Sequence, residues 1–100
     1  MDETRVQMIT LLRETRSCLQ HPGNDFTWSR WDDSKHALKD FDDYILSLET
    51  GLPTDPSELS MLFGPTGSIQ EVSLSSGWGT EFLTLAERFD ELAKNIFGTL

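Results

Sequence analysis

The feature that most constrains the fold of this chain is a helical spacing of apolar residues in three long segments. When successive residues are placed about 100° apart, as in an α-helix, the apolar side chains of residues 3–20, 30–50 and 81–97 each fall on one arc. Helices with one apolar face are not stable alone and bury that face against neighbours. Leucine, which suits helices, outnumbers the β-branched valine and isoleucine by 14 to 6. The sequence therefore predicts an all-α fold, a compact bundle of three long helices.

Residues typical of helix ends flank these segments. The predicted N-caps are Ser29, Asp55 and Thr80, and the predicted stops are Gly51 and Gly98. Residues 52–54 are predicted as a connector, and residues 55–76 as one or two short helices, because 29 residues between long helices are too many for an irregular connection in a small domain. We expect these short helices to cover an end or an open side of the bundle.

Length and charge limit the partners that this chain can have. One hundred residues support one domain, residues 1–100. Seventeen acidic and eight basic residues leave a net charge of −9, which repels nucleic-acid phosphates, so we expect no direct nucleic-acid binding. No apolar run approaches the length of a membrane span, so we expect no membrane contact. The single cysteine, Cys18, cannot form an internal disulfide and favours a reducing, cytoplasmic location.

Large aromatic residues at loops are the strongest candidates for a functional surface. Phe26, Trp28 and Trp31 crowd the loop before the second long helix, and Trp78 lies between two glycines. Exposed rings of this size act as anchors in protein–protein contacts. The same rings could instead pack over the ends of the bundle, because a thin core needs every large side chain. We interpret the chain as a non-catalytic protein–protein interaction module or assembly subunit, and a homodimer through Leu46 and Leu83 is one version of this interpretation.

Two alternative functions depend on the acidic residues. Asp32, His36, Asp40 and Asp43 share one helix face and could serve a metal-dependent enzyme, although that face lies opposite the apolar arc, where ligands stay hydrated. The acidic surface could also imitate nucleic acid or inhibit a basic partner, although lysine and arginine interrupt it. No spacing typical of catalytic, cofactor-binding or metal-ligating residues stands out, so we predict no enzyme, no cofactor and no metal.

Overall fold

The structure, a computed structural model, describes residues 3–51 and 56–97. These residues form five helices and no strand, which confirms the all-α prediction. The helices are α1 (Glu3–Gln20), α2 (Ser34–Thr50), α3 (Pro56–Phe63), α4 (Ser68–Ser76) and α5 (Gly79–Phe97). The predicted connector at 52–54, the predicted N-cap Asp55 and the predicted stop Gly98 lie outside the described residues.

Glycines end two of the helices in the left-handed conformation. Gly51 (φ 76°) follows α2 and Gly77 (φ 88°) follows α4, and the backbone N–H of each donates to a carbonyl in the last helical turn. Residues with a Cβ rarely adopt this conformation, which is why glycine is the usual residue at this position. The predicted end of the second long helix at Gly51 is therefore confirmed.

The predicted starts of the second and third long helices need correction. The second long helix begins at Ser34, four residues after the predicted residue 30, and its N-cap is Asp33, whose side chain accepts from His36 N–H at 3.0 Å. Ser29 stays in a turn, because its hydroxyl donates to Phe26 O and accepts from Trp31 N–H. The third long helix, α5, begins at Gly79 and not at the predicted residue 81. The predicted N-cap Thr80 therefore lies inside the helix. There Phe82 N–H donates to Trp78 O.

The three long helices do not all pack against one another. Helix α1 packs against both α2 and α5, whereas α3 and α4 pack against α5 and against each other. The predicted three-helix bundle is therefore only approximate. The physical reason is the wide apolar arc of α5, which needs neighbours on two sides. One side is covered by α1, and on the other Phe89 stacks against Phe63 of α3, with ring centroids 4.5 Å apart.

Buried residues from all five helices form one apolar cluster. Ion pairs on the surface also connect the helices: Arg13 and Arg16 of α1 pair with Glu49 and Asp42 of α2, and Glu14 pairs with Arg88 of α5. Exposed pairs of this kind contribute at most about 1 kcal/mol each, so burial of apolar surface supplies most of the stability. A bilayer crossing needs about 20 consecutive apolar residues, and none of the helices in the described ranges has such a stretch.

Candidate functional site

The loop between α1 and α2 carries three of the ten aromatic residues, Phe26, Trp28 and Trp31. At one end of the loop, Asp25 N–H donates to the Ser76 hydroxyl at 2.9 Å, at the C-terminal end of α4. At the other end, Arg30 N–H donates to the Ser68 hydroxyl at 2.9 Å, where α4 begins. The loop is therefore bound to both ends of α4 and runs alongside it in the opposite direction. These two hydrogen bonds attach the backbone of the loop to α4 at residues 25 and 30.

Two of the loop rings point into the protein. Trp31 is buried, with 2% of its surface exposed, and its Nε1–H donates to the Asp40 carboxylate at 3.0 Å. Phe26 is partly buried and meets Trp31 edge to face, with centroids 6.5 Å apart, and Trp31 meets Phe41 at 6.2 Å. These rings therefore anchor the loop to the core. In this arrangement Trp31 offers no surface to a partner.

Trp28 lies between these two rings in the sequence and points outwards. Its exposed fraction is 72%. Of the four predicted partner-binding residues, Phe26, Trp28, Trp31 and Trp78, it is the one classed as exposed. Exposed tryptophans concentrate binding energy at protein–protein interfaces, because the ring buries a large area and loses little conformational entropy. Trp28 is therefore the one of the four whose ring is largely accessible to solvent.

Trp78 has a role in joining distant parts of the chain. It is half-buried, and its Nε1–H donates to Asn24 Oδ1 at 2.8 Å. Asn24 in turn donates from Nδ2 to Cys18 O at 2.7 Å, in the last turn of α1. Trp78 and Asn24 thus connect the α4–α5 turn to the end of α1. This position agrees with the alternative that Trp78 packs over an end of the bundle. That Trp78 binds a partner stays a prediction.

The acidic face of α2 does not converge on one point. Asp40 accepts from the indole of Trp31, and Asp43 pairs with Lys39 at 2.9 Å. Nδ1 of His36 accepts from the backbone N–H of Asp32 at 3.3 Å and lies 3.9 Å from the Asp32 carboxylate. In the described part of the chain, no group of three or more His, Cys, Asp and Glu residues is placed to hold a metal ion.

Cys18 lies half-buried in a groove of about 460 Å³ that it shares with His21, Trp78 and Glu81. Burial raises the pKa of the Cys18 thiol, and the nearby carboxylates of Glu81 and Glu14 raise this pKa further. Since the thiolate is the reactive form, this environment works against nucleophilic chemistry. No hydrogen bond joins the thiol to the His21 imidazole among the described residues. Cys18 is therefore placed as a packing residue.

Sequence reasoning missed two residues that organise this region, Asn24 and Glu58. Oε1 of Glu58 in α3 accepts from the Tyr44 hydroxyl at 2.7 Å and from the Arg30 guanidinium at 3.2 Å. The sequence does not mark either residue, because the partners Tyr44, Arg30 and Trp78 lie 14 or more positions away. An asparagine beside a proline and glycine is typical of any turn, and therefore carried no separate signal.

Comparisons with protein-family models, with curated proteins and with solved structures give no match to this chain. Its function is therefore inferred from its own geometry.

Proposed function

We propose that this protein is a non-catalytic protein–protein interaction module, and that its contact surface is centred on Trp28. The observation that carries the proposal is the combination of a 72% exposed tryptophan with a loop bound at both ends. An exposed indole by itself can also occur on a flexible loop. Hydrogen bonds on either side of Trp28 instead fix the backbone that carries the indole before any contact is made.

The fixed loop lowers the cost of binding. Association loses conformational freedom in every side chain and backbone segment that becomes ordered on contact. Here Ser29 N–H donates to Phe26 O, and Thr27 donates twice to Asp25, so the turn that carries Trp28 is ordered before any partner arrives. In this proposal Phe26 and Trp31 support the surface from inside, and Trp28 forms the contact.

The rest of the chain supports a binding role more than a catalytic one. The metal-dependent alternative needs Asp32, His36, Asp40 and Asp43 to share a ligand, whereas Asp40 and Asp43 are already engaged with Trp31 and Lys39. We place the module in the cytoplasm, and the single cysteine supports this location. Leu46 and Leu83 are both exposed, so a homodimer through them stays an alternative form of assembly.

A capture experiment with matched variants tests the proposal. Tagged wild-type protein, Trp28→Ala and Met61→Ala serve as baits in a lysate of the source organism. Met61 is the control because it has the same exposed fraction as Trp28, 72%, but lies on α3. We expect a protein that is bound by wild type and by Met61→Ala and is lost from Trp28→Ala, because only the last variant removes the anchor.

Circular dichroism and thermal melting confirm that the variants stay folded. Identical sets of captured proteins on all three baits would contradict the proposal. So would a loss on Met61→Ala equal to that on Trp28→Ala.

A further inference from the structure

A shallow hollow adjoins the base of Trp28. It has a volume of about 420 Å³, and its lining residues include His21, Asp25, Thr27, Asp32 and Asp33. The Cα atom of Thr27 is about 3.8 Å from that of Trp28, as for any two consecutive residues. Trp28 therefore directly follows, in the chain, a residue that lines this acidic hollow.

These carboxylates are available to a ligand. Oδ1 of Asp25 accepts from the backbone N–H and the hydroxyl of Thr27, and these hydrogen bonds hold the pKa of Asp25 below its usual range. Oδ1 of Asp33 accepts from His36 N–H, and the Asp32 side chain is 97% exposed. Among the described residues, the second carboxylate oxygen of Asp25 and that of Asp33 have no hydrogen-bond partner. The hollow thus presents anionic oxygens to solvent.

Within the ranges that the structure describes, neither of the basic side chains next to this segment, Arg30 and Lys35, forms an ion pair with these three carboxylates. Arg30, the one basic residue between positions 24 and 34, binds Glu58 of α3 at 3.2 Å. Lys35 follows in the first turn of α2 and is exposed. The chain as a whole carries −9, which adds a long-range attraction for cations.

Charge complementarity selects among the possible occupants. A second copy in a symmetric contact would bring the same carboxylates face to face, which is repulsive. Nucleic acids and anionic lipid surfaces are repelled for the same reason. A metal ion needs oxygens converging within about 2.0–2.6 Å of one point, and the described residues show no such group. Ammonium and guanidinium groups instead spread several donors over a wider area, and they also bind the face of a tryptophan ring.

We infer that the partner is a basic protein segment that places a lysine or arginine over the Trp28 ring, with its cationic neighbours against Asp25, Asp32 and Asp33. This inference rests on the proposed function, because it names the class of partner for the same surface. Its specific content is that three local carboxylates, and not the net charge alone, recognise the partner.

The test uses a capped hexa-arginine peptide as the probe and NMR spectra of the full chain as the readout. The indole N–H signal of Trp28 is assigned with a Trp28→Phe variant. We expect the peptide to shift this signal and the amide signals of residues 25–33, while the hydrogen-bonded indoles of Trp31 and Trp78 move less.

Two triple variants with the same net charge separate the local site from the overall field. In the first, Asp25, Asp32 and Asp33 become Asn, which keeps an oxygen acceptor at Asp25 and an N-cap at Asp33. In the second, the exposed α5 residues Glu87, Asp90 and Glu91 become Gln, Asn and Gln. We expect the first to weaken peptide binding about tenfold and the second less than about threefold, since charge-assisted contacts are local. Trp28→Ala should weaken it about two- to fivefold.

Each other outcome overturns the inference. Equal weakening by the two triple variants would mean that the peptide responds to the overall charge, as an acidic mimic of nucleic acid would. Absence of peptide binding to wild type would exclude a basic partner segment. If Trp28→Ala still loses a partner from the lysate in that case, the proposed function stands and only the class of partner is wrong.

Discussion

Three tryptophans of this chain have three different environments, although all were assigned to one functional surface. Trp31 is buried and hydrogen-bonded to Asp40, Trp78 is half-buried and hydrogen-bonded to Asn24, and Trp28 is exposed. Both inward rings donate their Nε1–H, which removes the penalty of burying that polar group. The sequence places the three rings near loops but contains no local signal that separates them.

At the residue scale, we predict that Trp31→Ala destabilises the protein by about 3–5 kcal/mol, the usual cost of truncating a buried large aromatic side chain. The change leaves a cavity beside Phe26 and Phe41, and it also leaves Asp40 without its indole donor. Trp28→Ala, in contrast, should change the free energy of unfolding by less than about 0.5 kcal/mol. Urea unfolding followed by circular dichroism measures both values, and equal losses would place Trp28 in the core as well.

At the element scale, Gly67, at the corner between α3 and α4, has the least room for a side chain among the glycines of the described residues. A Cβ atom on Gly67 would lie 2.2 Å from Met61 O and 2.7 Å from Leu62 O, closer than real Cβ contacts allow. Thr66, just before it, adopts a positive φ of 64°, and Gly67 N–H donates to Gly64 O at 3.1 Å. The corner therefore requires glycine because there is no space for a side chain, which differs from the conformational reason at Gly51 and Gly77.

We predict that Gly67→Ala destabilises the protein by about 1–3 kcal/mol, because neither carbonyl belongs to a flexible side chain that could move away. Gly23→Ala is the matched control, since a Cβ there meets nothing within 4 Å and its φ is not in the left-handed region. That variant should be neutral, or more stable by up to about 1 kcal/mol through a less flexible unfolded chain. Thermal melting compares the two. Similar melting temperatures would show that the corner opens easily.

Helix ends were predictable to different degrees. The end of α2 at Gly51 was predicted correctly because one glycine marks it. The predicted start of the same helix was wrong, because Ser29, Asp32 and Asp33 are all suitable N-caps within five positions. Their N-cap propensities are too similar to predict which of the three begins the helix. In the structure the helix begins after Trp31, whose side chain is buried in the core, and Asp33 is the N-cap.

At the scale of the whole molecule, Glu58 joins pieces of the chain that are far apart in sequence. Its carboxylate accepts from Tyr44 of α2 and from Arg30 of the loop, and this connects both to α3. Tyr44 also meets Phe41 edge to face at 5.9 Å, so the rings of Phe26, Trp31, Phe41 and Tyr44 form one continuous series. The loop that presents Trp28 is therefore supported from the core as well as from α4.

We predict that this contact makes stability fall at alkaline pH. Burial raises the pKa of Tyr44 well above its ordinary value of about 10, and the hydrogen bond to Glu58 raises it further. The folded protein thus holds the phenolic proton more tightly than the unfolded chain. The resulting stability is complete below pH of about 10 and is lost as the pH rises towards the folded pKa.

Tyr44 is the single tyrosine of the chain, so the ultraviolet absorbance of its phenolate reports this one group. We expect phenolate to appear only together with loss of the helical circular dichroism signal. A Tyr44→Phe variant should lose this component of the pH dependence. Titration of Tyr44 near its ordinary pKa in a protein that is still folded would contradict the prediction.

The sequence by itself determined the helical class, the three long amphipathic segments, the acidic surface and the glycine that ends α2. These features follow from spacing within a few residues, and a helix repeats every 3.6 residues or so. Only the tertiary structure decided which tryptophan faces solvent, where Asp40 and Glu58 are engaged, and that α3 and α4 cover α5. The reason is that a loop side chain is buried or exposed according to contacts such as Asp25 with Ser76 and Arg30 with Ser68, which join residues 51 and 38 positions apart.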